Sequence, residues 1–169
     1  MVETSKHFEG GSVVVVAVVG QTEILLIRET TKPLPIYWKL VSETVEPGES
    51  LLNAVIGGIR EEAGFKDIAV EYGPDGKVKK VIDPRIKRVV EFGGREWIKS
   101  RYPHWRHFFG ILTTDEVIKG LSGKYHKIDE SEEINTQVFS LNSLHTLPDL
   151  LRQHAELIRS IPRCSMTEV

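Results

Sequence analysis

The sequence has almost no cysteine, because Cys164 is the only one among its 169 residues. A single thiol cannot build an internal disulfide framework or a cysteine-based zinc site. We therefore expect a protein of a reducing compartment, with the cytoplasm as the default location.

Long hydrophobic runs and an excess of one charge are also missing. The longest apolar run, Val13 to Val19, is far shorter than the roughly 18 residues of a membrane-spanning helix. The first residues are polar and carry both charges, unlike a secretory signal. The net charge of −2 gives no overall attraction to nucleic acid or anionic lipid. We expect neither a membrane nor a nucleic-acid partner.

The composition is that of a soluble globular protein, with 40% hydrophobic and 27% charged residues. A chain of this length is typical of one domain with one core. We predict a single domain over residues 1–169, with a loose N-terminal lead-in at 1–11 and a C-terminal tail at 162–169.

The hydrophobic pattern predicts more strands than helices. The β-branched run Ser12 to Val19 and the segment Glu23 to Arg28 read as a hairpin. A C-terminal amphipathic helix is predicted over Leu147 to Ile161, whereas Gly93 to Tyr102 reads as a loop and Asp115 to Ser131 favours no single structure. The further strands are predicted at Asp67 to Tyr72, within Lys77 to Phe92, at His104 to Thr113 and at Gln137 to Ser140. A mixed sheet covered by helices, an α+β arrangement, follows from this order.

A helix is predicted in the middle of the chain, from Ser50 to Ala63. Its apolar residues recur with helical spacing and form one stripe. Ser50 can cap the start of the helix, and Gly64 suits a left-handed conformation just past its end.

Two adjacent acids stand near the end of this helix. If Leu52 marks 0° on a helical wheel, Glu61 and Glu62 fall at about 180° and about 280°, so we expect both to face away from the core. Together with Glu46 and Glu49 in the preceding loop, they could bind a hard divalent cation such as Mg²⁺. A solvated acidic face is the simpler interpretation of such a pair.

The segment Glu43 to Phe65 resembles the Nudix box, G-x5-E-x7-R-E-U-x-E-E-x-G-U, where U is aliphatic. With Glu49 on the first glutamate, Glu61 and Glu62 fall on the paired acids and Gly64 on the late glycine. The resemblance extends over roughly Gly11 to Ile161. It implies a Nudix-like α/β/α sandwich and metal-assisted hydrolysis of a nucleoside diphosphate linked to another moiety. Mg²⁺ or Mn²⁺ would then be held by Glu61, Glu62 and Glu49.

The box is incomplete in two places. Glu43 stands where the family has its leading glycine, and Gly57-Gly58 stand where it has Arg-Glu. The resemblance implies that this missing glutamate is a principal metal ligand, so hydrolysis is expected to be impaired. Glycines inside a helix also cost about 0.8–1 kcal/mol each relative to alanine. Glu43 or Glu46 could reach in from the loop and help to hold the metal.

A further acid from outside the box often completes such a site in the family. Glu133 is our candidate for the catalytic base, and Glu132, Asp129 and Glu116 are the alternatives. For most of them a solvated loop acid is the simpler interpretation.

Substrate contacts are predicted at Arg28, Trp38 and Arg106. Arginine can pair with phosphate, and aromatic side chains next to arginine can stack on a nucleobase. Ordinary packing is the alternative, in particular for Trp38, which we expect beneath the box.

Two functions therefore remain open. One is a Nudix-type hydrolase that acts on a small-molecule nucleotide derivative, and the resemblance makes a homodimer plausible for it. The other is a Nudix-fold module that binds a nucleotide or a partner after losing its chemistry.

Overall fold

The computed structural model describes residues 11–31, 33–123, 125–129 and 132–169, with the backbone only at 125–129 and 132. The predicted lead-in at 1–11 therefore lies outside the described residues, except for Gly11. Within these ranges, none of the helices is both long and apolar enough to cross a membrane.

The structure contains a large sheet, a separate hairpin and three α-helices within the described ranges. The strands are β1 (Ser12–Val19), β2 (Glu23–Glu29), β3 (Val41–Val45), β4 (Val70–Tyr72), β5 (Val78–Val81), β6 (Arg88–Phe92), β7 (Glu96–Ile98), β8 (His104–Leu112), β9 (Tyr125–Asp129), β10 (Glu132–Ser140) and β11 (Met166–Glu168). The helices are α1 (Leu51–Glu62), α2 (Asp115–Leu121) and α3 (Arg152–Ser160), with 3-10 turns at Leu141–Thr146 and Ile161–Arg163.

Among the described residues, nine strands form one mixed sheet in the order β11-β6-β8-β1-β2-β10-β9. Strand β3 pairs with β1, and β7 pairs with β8. The β1–β8 pair is parallel, and the other pairs of this sheet are antiparallel. Strands β4 and β5 form a separate hairpin. The predicted mixed sheet with covering helices is confirmed.

The central strand β1 is buried on both faces, which explains its continuous β-branched sequence. Val14, Val16 and Val18 pack in a core that includes residues of α1 and α2. The alternate residues of β1 pack in a second core that includes Ile158 of α3. The sheet therefore has an α1 face and an α3 face, the three layers of an α/β/α sandwich.

Helix α1 forms as its sequence predicts. The hydroxyl of Ser50 accepts a hydrogen bond from the Asn53 N–H at 3.1 Å, which satisfies one free amide of the first turn. Gly64 has φ of +86°, the left-handed conformation that ends a helix at low cost.

Several boundaries differ from the prediction because long-range pairing decides them. Residues Glu96–Ile98, predicted as loop, form β7 by pairing with β8. Strand β10 is longer than predicted because it pairs with β2 along most of its length. The C-terminal helix begins only at Arg152, because the Trp38 N–H donates to the Asp149 carbonyl and the Leu151 N–H donates to the Trp38 carbonyl, which hold the preceding residues extended. Met166–Glu168, in the predicted tail, form β11 against β6.

The stretch Asp115 to Ser131, left without an assignment, contains α2 and β9. The hydroxyl of Thr114 caps α2 by accepting from the Val117 N–H at 3.2 Å. Asp115 and Glu116 in its first turn favour a helix start. The start of α2 was therefore readable from the sequence, whereas β9 depends on pairing with β10.

Helix α1 packs closely on strand β3 at one of its two glycines. A Cβ built on Gly58 would lie 2.7 Å from Cγ of Glu43 and 3.0 Å from Cγ1 of Val41. A Cβ built on Gly57 would meet nothing within 4 Å. The two glycines therefore differ, since only Gly58 allows a close approach.

The α3 face contains a buried imidazole. His154 is 7% exposed, and its Nδ1 accepts a hydrogen bond from the Leu40 N–H at 2.9 Å. Burial, together with the positive charges of Lys39 and Arg106, lowers the pKa of His154 from 6.5 to about 4. The neutral ring thus ties α3 to the residue that precedes β3.

We predict that acid destabilises the protein through His154. Between pH 6.5 and about 4 the unfolded imidazole takes up a proton and the folded one does not, so the free energy of unfolding decreases as the pH falls through this window. The loss attributable to this group is roughly 3 kcal/mol. Urea unfolding at a series of pH values measures it. His154→Asn, which keeps an acceptor, should show a correspondingly smaller loss, and an identical loss in both proteins would contradict this assignment.

The two glycines of α1 should respond oppositely to alanine. We expect Gly57→Ala to raise the free energy of unfolding by about 1 kcal/mol, because alanine has the higher helix propensity and nothing obstructs its Cβ. Gly58→Ala should be roughly 1–3 kcal/mol less stable than Gly57→Ala, because its Cβ must displace Glu43 and Val41. Urea denaturation of both variants tests the difference, and equal stabilities would refute the close contact.

Candidate functional site

The turn between β3 and α1 is held by two of the predicted acids. Glu49 Oε1 accepts from the Glu46 N–H at 3.0 Å, and the Glu49 N–H donates to the Glu46 carbonyl at 2.9 Å. Gly48, with φ of +80°, provides the left-handed residue of this turn. The reciprocal hydrogen bonds keep Glu49 next to the start of α1.

Glu62 lies inside the protein. It is only 7% exposed, so the expectation that both helix acids face away from the core is wrong for Glu62. The reason is that β3 covers this side of the helix, which a helical wheel cannot show. Burial raises the pKa of Glu62 to about 8, and the negative charge of Glu43 adds to this effect.

One oxygen of Glu62 has no partner. Lys39 and the Ser42 backbone amide favour the charged form of Glu62, yet its Oε2 is buried without a hydrogen bond. An unsatisfied buried carboxylate oxygen is costly and needs an explanation. A group that binds this oxygen, such as a proton or a cation, would remove the cost.

Glu61 is exposed, as predicted, and it lies beside Glu43. Strand alternation turns Val41, Glu43 and Val45 to the same side, and both valines contact the core on the α1 face. The pKa of Glu43 is raised to about 7. Burial is the largest cause, and the negative charges of Glu61 and Glu49 also raise it. In its neutral form, Glu43 donates a hydrogen bond to Glu61.

Glu43, Glu49, Glu61 and Glu62 therefore form one group, the acidic cluster. Glu43 is the member that links them, because its pKa is raised by the charges of Glu61 and Glu49 and its own charge raises the pKa of Glu62. Lys39 cannot neutralise them alone, because its Nζ contacts Glu29 Oε1 at 2.8 Å. A bound proton or cation would therefore stabilise the acidic cluster.

The donors of the acidic cluster fit a divalent metal of the magnesium type, which prefers carboxylate oxygens. Two observations support the fit: the buried Oε2 of Glu62 lacks a partner, and Glu43 fills the space that a side chain at position 58 would take. In the part of the chain that the structure describes, no three such side chains are already arranged to hold an ion. Binding would therefore require the Glu43–Glu61 hydrogen bond to open.

Two cavities bear on the site. One of about 210 Å³ is lined by Glu29 and Lys39, whose charges act on Glu62 in addition to that of Glu43. A larger one, of about 630 Å³, is lined by Ile158 and other residues of the α3 face and by none of the cluster. Neither cavity is lined by a residue of the acidic cluster.

The predicted substrate residues lie on the other side of the sheet. The Arg28 guanidinium stacks over Trp38 at 4.5 Å from the ring centroid, and Trp38 packs edge-on against Phe139 in the core of the α3 face. Arg106 donates to Glu96 Oε1 at 2.6 Å, and its charge acts on His154 of α3. Trp38 thus packs away from α1 rather than beneath the box, and these three residues do not join the acidic cluster.

Glu133 lies on β10, where the neighbouring Ile134 packs in the core of the α1 face. Alternation directs Glu133 to the opposite face, so the structure does not bring it next to Glu62. Glu116 is exposed in the first turn of α2. The side chains of Glu132 and Asp129 lie outside the described residues.

Sequence reasoning named Glu43 only as a residue that could reach in from the loop, whereas the structure places it on β3. The available signal was the alternation of Val41, Glu43 and Val45, which predicts an inward-facing glutamate. Strand β1 also pairs Val14 with Glu43 on one side and with His107 on the other. His107 is 7% exposed and its Nδ1 lies 3.4 Å from Glu91 Oε2. A buried imidazole thus shares a row of the sheet with the cluster.

Solved structures resemble this fold. A MutT NUDIX hydrolase from Burkholderia pseudomallei matches with a TM-score of 0.56 and 18% identity over 90% of this chain and 98% of the other. A NUDIX hydrolase from Nitrosomonas europaea matches with a TM-score of 0.56 and 15% identity, over 91% of this chain and 86% of the other. The NUDIX domain of Shewanella oneidensis NrtR was solved as a complex with ADP ribose. It matches with a TM-score of 0.54 and 16% identity, over 91% of this chain and 87% of the other. At these identities the likeness concerns the fold.

The sequence itself decides the family. A search of curated proteins finds no match. The family model of the NUDIX domain, however, matches residues 9–161, which include the acidic cluster and every described strand of the large sheet except β11. Hydrolases of this family generally use divalent metal ions. The chain therefore belongs to the NUDIX domain family.

Proposed function

We propose that this protein hydrolyses a nucleoside diphosphate linked to another moiety, with Mg²⁺ or Mn²⁺ as the cofactor. The observation that carries the proposal is the buried Oε2 of Glu62, which has no partner and lies in the acidic cluster. A carboxyl group whose pKa is raised by burial and by a neighbouring acid is typical of functional sites. Family membership supports the reaction type.

The metal would be held by Glu61, Glu62 and Glu49, and when bound it would neutralise charge on the diphosphate and activate water. Glu49 is already positioned by its hydrogen bonds with Glu46, and Glu62 by its burial. The exposed Glu61 can turn without disturbing the core. Glycine at 57 and 58 in place of Arg-Glu leads us to expect slower hydrolysis than a complete box would give.

The proposed substrate class rests on membership of the family. The NrtR domain, which shares the fold, was solved with ADP ribose, and this supports a nucleotide derivative as ligand. Glu133 as base and Arg28, Trp38 and Arg106 as substrate contacts stay predictions.

The alternative is a module that binds a nucleotide derivative without cleaving it. The observation that favours it is the helix itself, where the Arg-Glu pair of the box is replaced by Gly57 and Gly58. The two functions share the cluster and differ only in turnover.

We predict that the purified protein with Mn²⁺ or Mg²⁺ releases product from at least one of a panel of nucleoside diphosphate derivatives that includes ADP-ribose. Glu62→Gln should lower kcat/KM by at least about 100-fold. Loss of residues that only support a metal ligand lowers activity by about 10–100-fold, and loss of a direct ligand should lower it at least as much. The measurement is product release by chromatography.

Glu156→Gln serves as the control, since Glu156 lies exposed on α3 and contacts only Arg152 among the ion pairs described. Its activity should equal that of the parent. If no compound is cleaved but one raises the unfolding temperature, the binding module is the correct function. Equal activity of Glu62→Gln and the parent would sink the proposed site.

A further inference from the structure

Glycine at position 58 allows Glu43 to pack directly against helix α1. Gly58 is buried, and Glu43 lies so close that a Cβ at 58 would approach its Cγ to 2.7 Å. Gly57, next to it, has open space instead. A glycine inside a helix lowers helix stability by about 1 kcal/mol relative to alanine, so its presence at position 58 calls for a structural explanation. That explanation is room for Glu43.

Glu43 brings a carboxylate to the place that the helix leaves empty. It projects from β3 toward α1 and is coupled to Glu61 by a hydrogen bond and to Glu49 by charge. Glu62 approaches from the helix, and the charge of Glu43 is the strongest charge effect on it. Glu43 on the strand therefore interacts with both Glu61 and Glu62 on the helix.

An independent observation, at Glu62, indicates that the acidic cluster binds a ligand. Glu62 is more than nine-tenths buried, and its Oε2 has no hydrogen-bond partner. The neighbouring Lys39 is paired with Glu29 at 2.8 Å. The positive charge that would satisfy Oε2 is therefore not supplied by the described side chains.

The two departures from the box are reciprocal. The position of its leading glycine holds Glu43, and the position of its helix glutamate holds Gly58. Because these two residues contact each other, neither change can be considered separately.

We propose that Glu43 supplies from strand β3 the metal-binding carboxylate that α1 lacks at position 58, so that Glu43 joins Glu61, Glu62 and Glu49 in holding the divalent cation and Gly58 makes room for Glu43. This inference rests on the proposed function, because it names the ligands of that same site. Glu43 and Gly58 form a unit in which each residue requires the other.

The test is binding of Mn²⁺ alone, measured by calorimetry and by the paramagnetic resonance of free Mn²⁺, without any nucleotide. Glu43→Gln should weaken Mn²⁺ binding at least about tenfold, since it removes a direct ligand. It should leave the unfolding temperature of the metal-free protein unchanged or higher, because it removes repulsion within the cluster. Glu71→Gln, the same change on strand β4, should bind Mn²⁺ like the parent.

The exchange variant gives the sharper result. Gly58→Glu alone should bind Mn²⁺ more weakly than the parent and be less stable, because Glu43 occupies the space. The double variant Glu43→Gly/Gly58→Glu should recover Mn²⁺ affinity to within a few-fold of the parent, since it moves the carboxylate from strand to helix. Recovery in the double variant is not expected of a merely structural glutamate.

Three outcomes overturn the inference. One is a parent protein that binds no Mn²⁺, which also removes the metal-assisted mechanism. Another is a Glu43→Gln variant that binds like the parent while Glu62→Gln does not, which leaves the proposed function intact. The third is a folded double variant that fails to recover binding. If Glu43→Gln behaves as expected but no compound is hydrolysed, the ligand assignment stands and the hydrolase does not.

Discussion

The close packing of helix α1 against strand β3 is the contact on which the site depends. It brings the carboxyl groups of Glu43 and Glu62 into a partly desolvated space and leaves Oε2 of Glu62 without a partner. Repulsion between like charges is weakly screened there, because little water reaches them. The rest of the fold must supply the stability that this arrangement costs, and it does so through two apolar cores on either face of one sheet.

Strand β1 provides the frame for this contact. Its first half pairs with β3 and its last residues pair with β2, so two strands share one edge of β1. Because side chains alternate along strands, the sheet separates the acids on the α1 face from Arg28, Trp38 and Arg106 on the α3 face. The acids and the basic and aromatic residues therefore have different surroundings. The first are coupled by charge, and the second are held by stacking and by the pair with Glu96.

Gly57 and Gly58 illustrate how identical residues can have different roles. Both weaken the helix by the same backbone effect, yet only Gly58 faces a neighbour that needs the space. Read from the sequence alone, the pair suggests a damaged helix. In the structure, Gly58 is part of the contact with Glu43, whereas nothing in the structure explains Gly57.

The sequence by itself determined the strands and helices whose signal is local. The buried run of β1, the capped helix α1 and the glycine at its end follow from side-chain pattern and backbone preference, and the box fixed Glu61, Glu62 and Glu49 as candidates. Tertiary structure decided everything that depends on a distant partner. Strand β7 exists through its pairing with β8, α3 starts late because Trp38 holds the residues before it, and Glu62 is buried because β3 covers it. The physical reason is that hydrogen-bond pairing and desolvation arise between segments far apart in the chain, so no local pattern contains them.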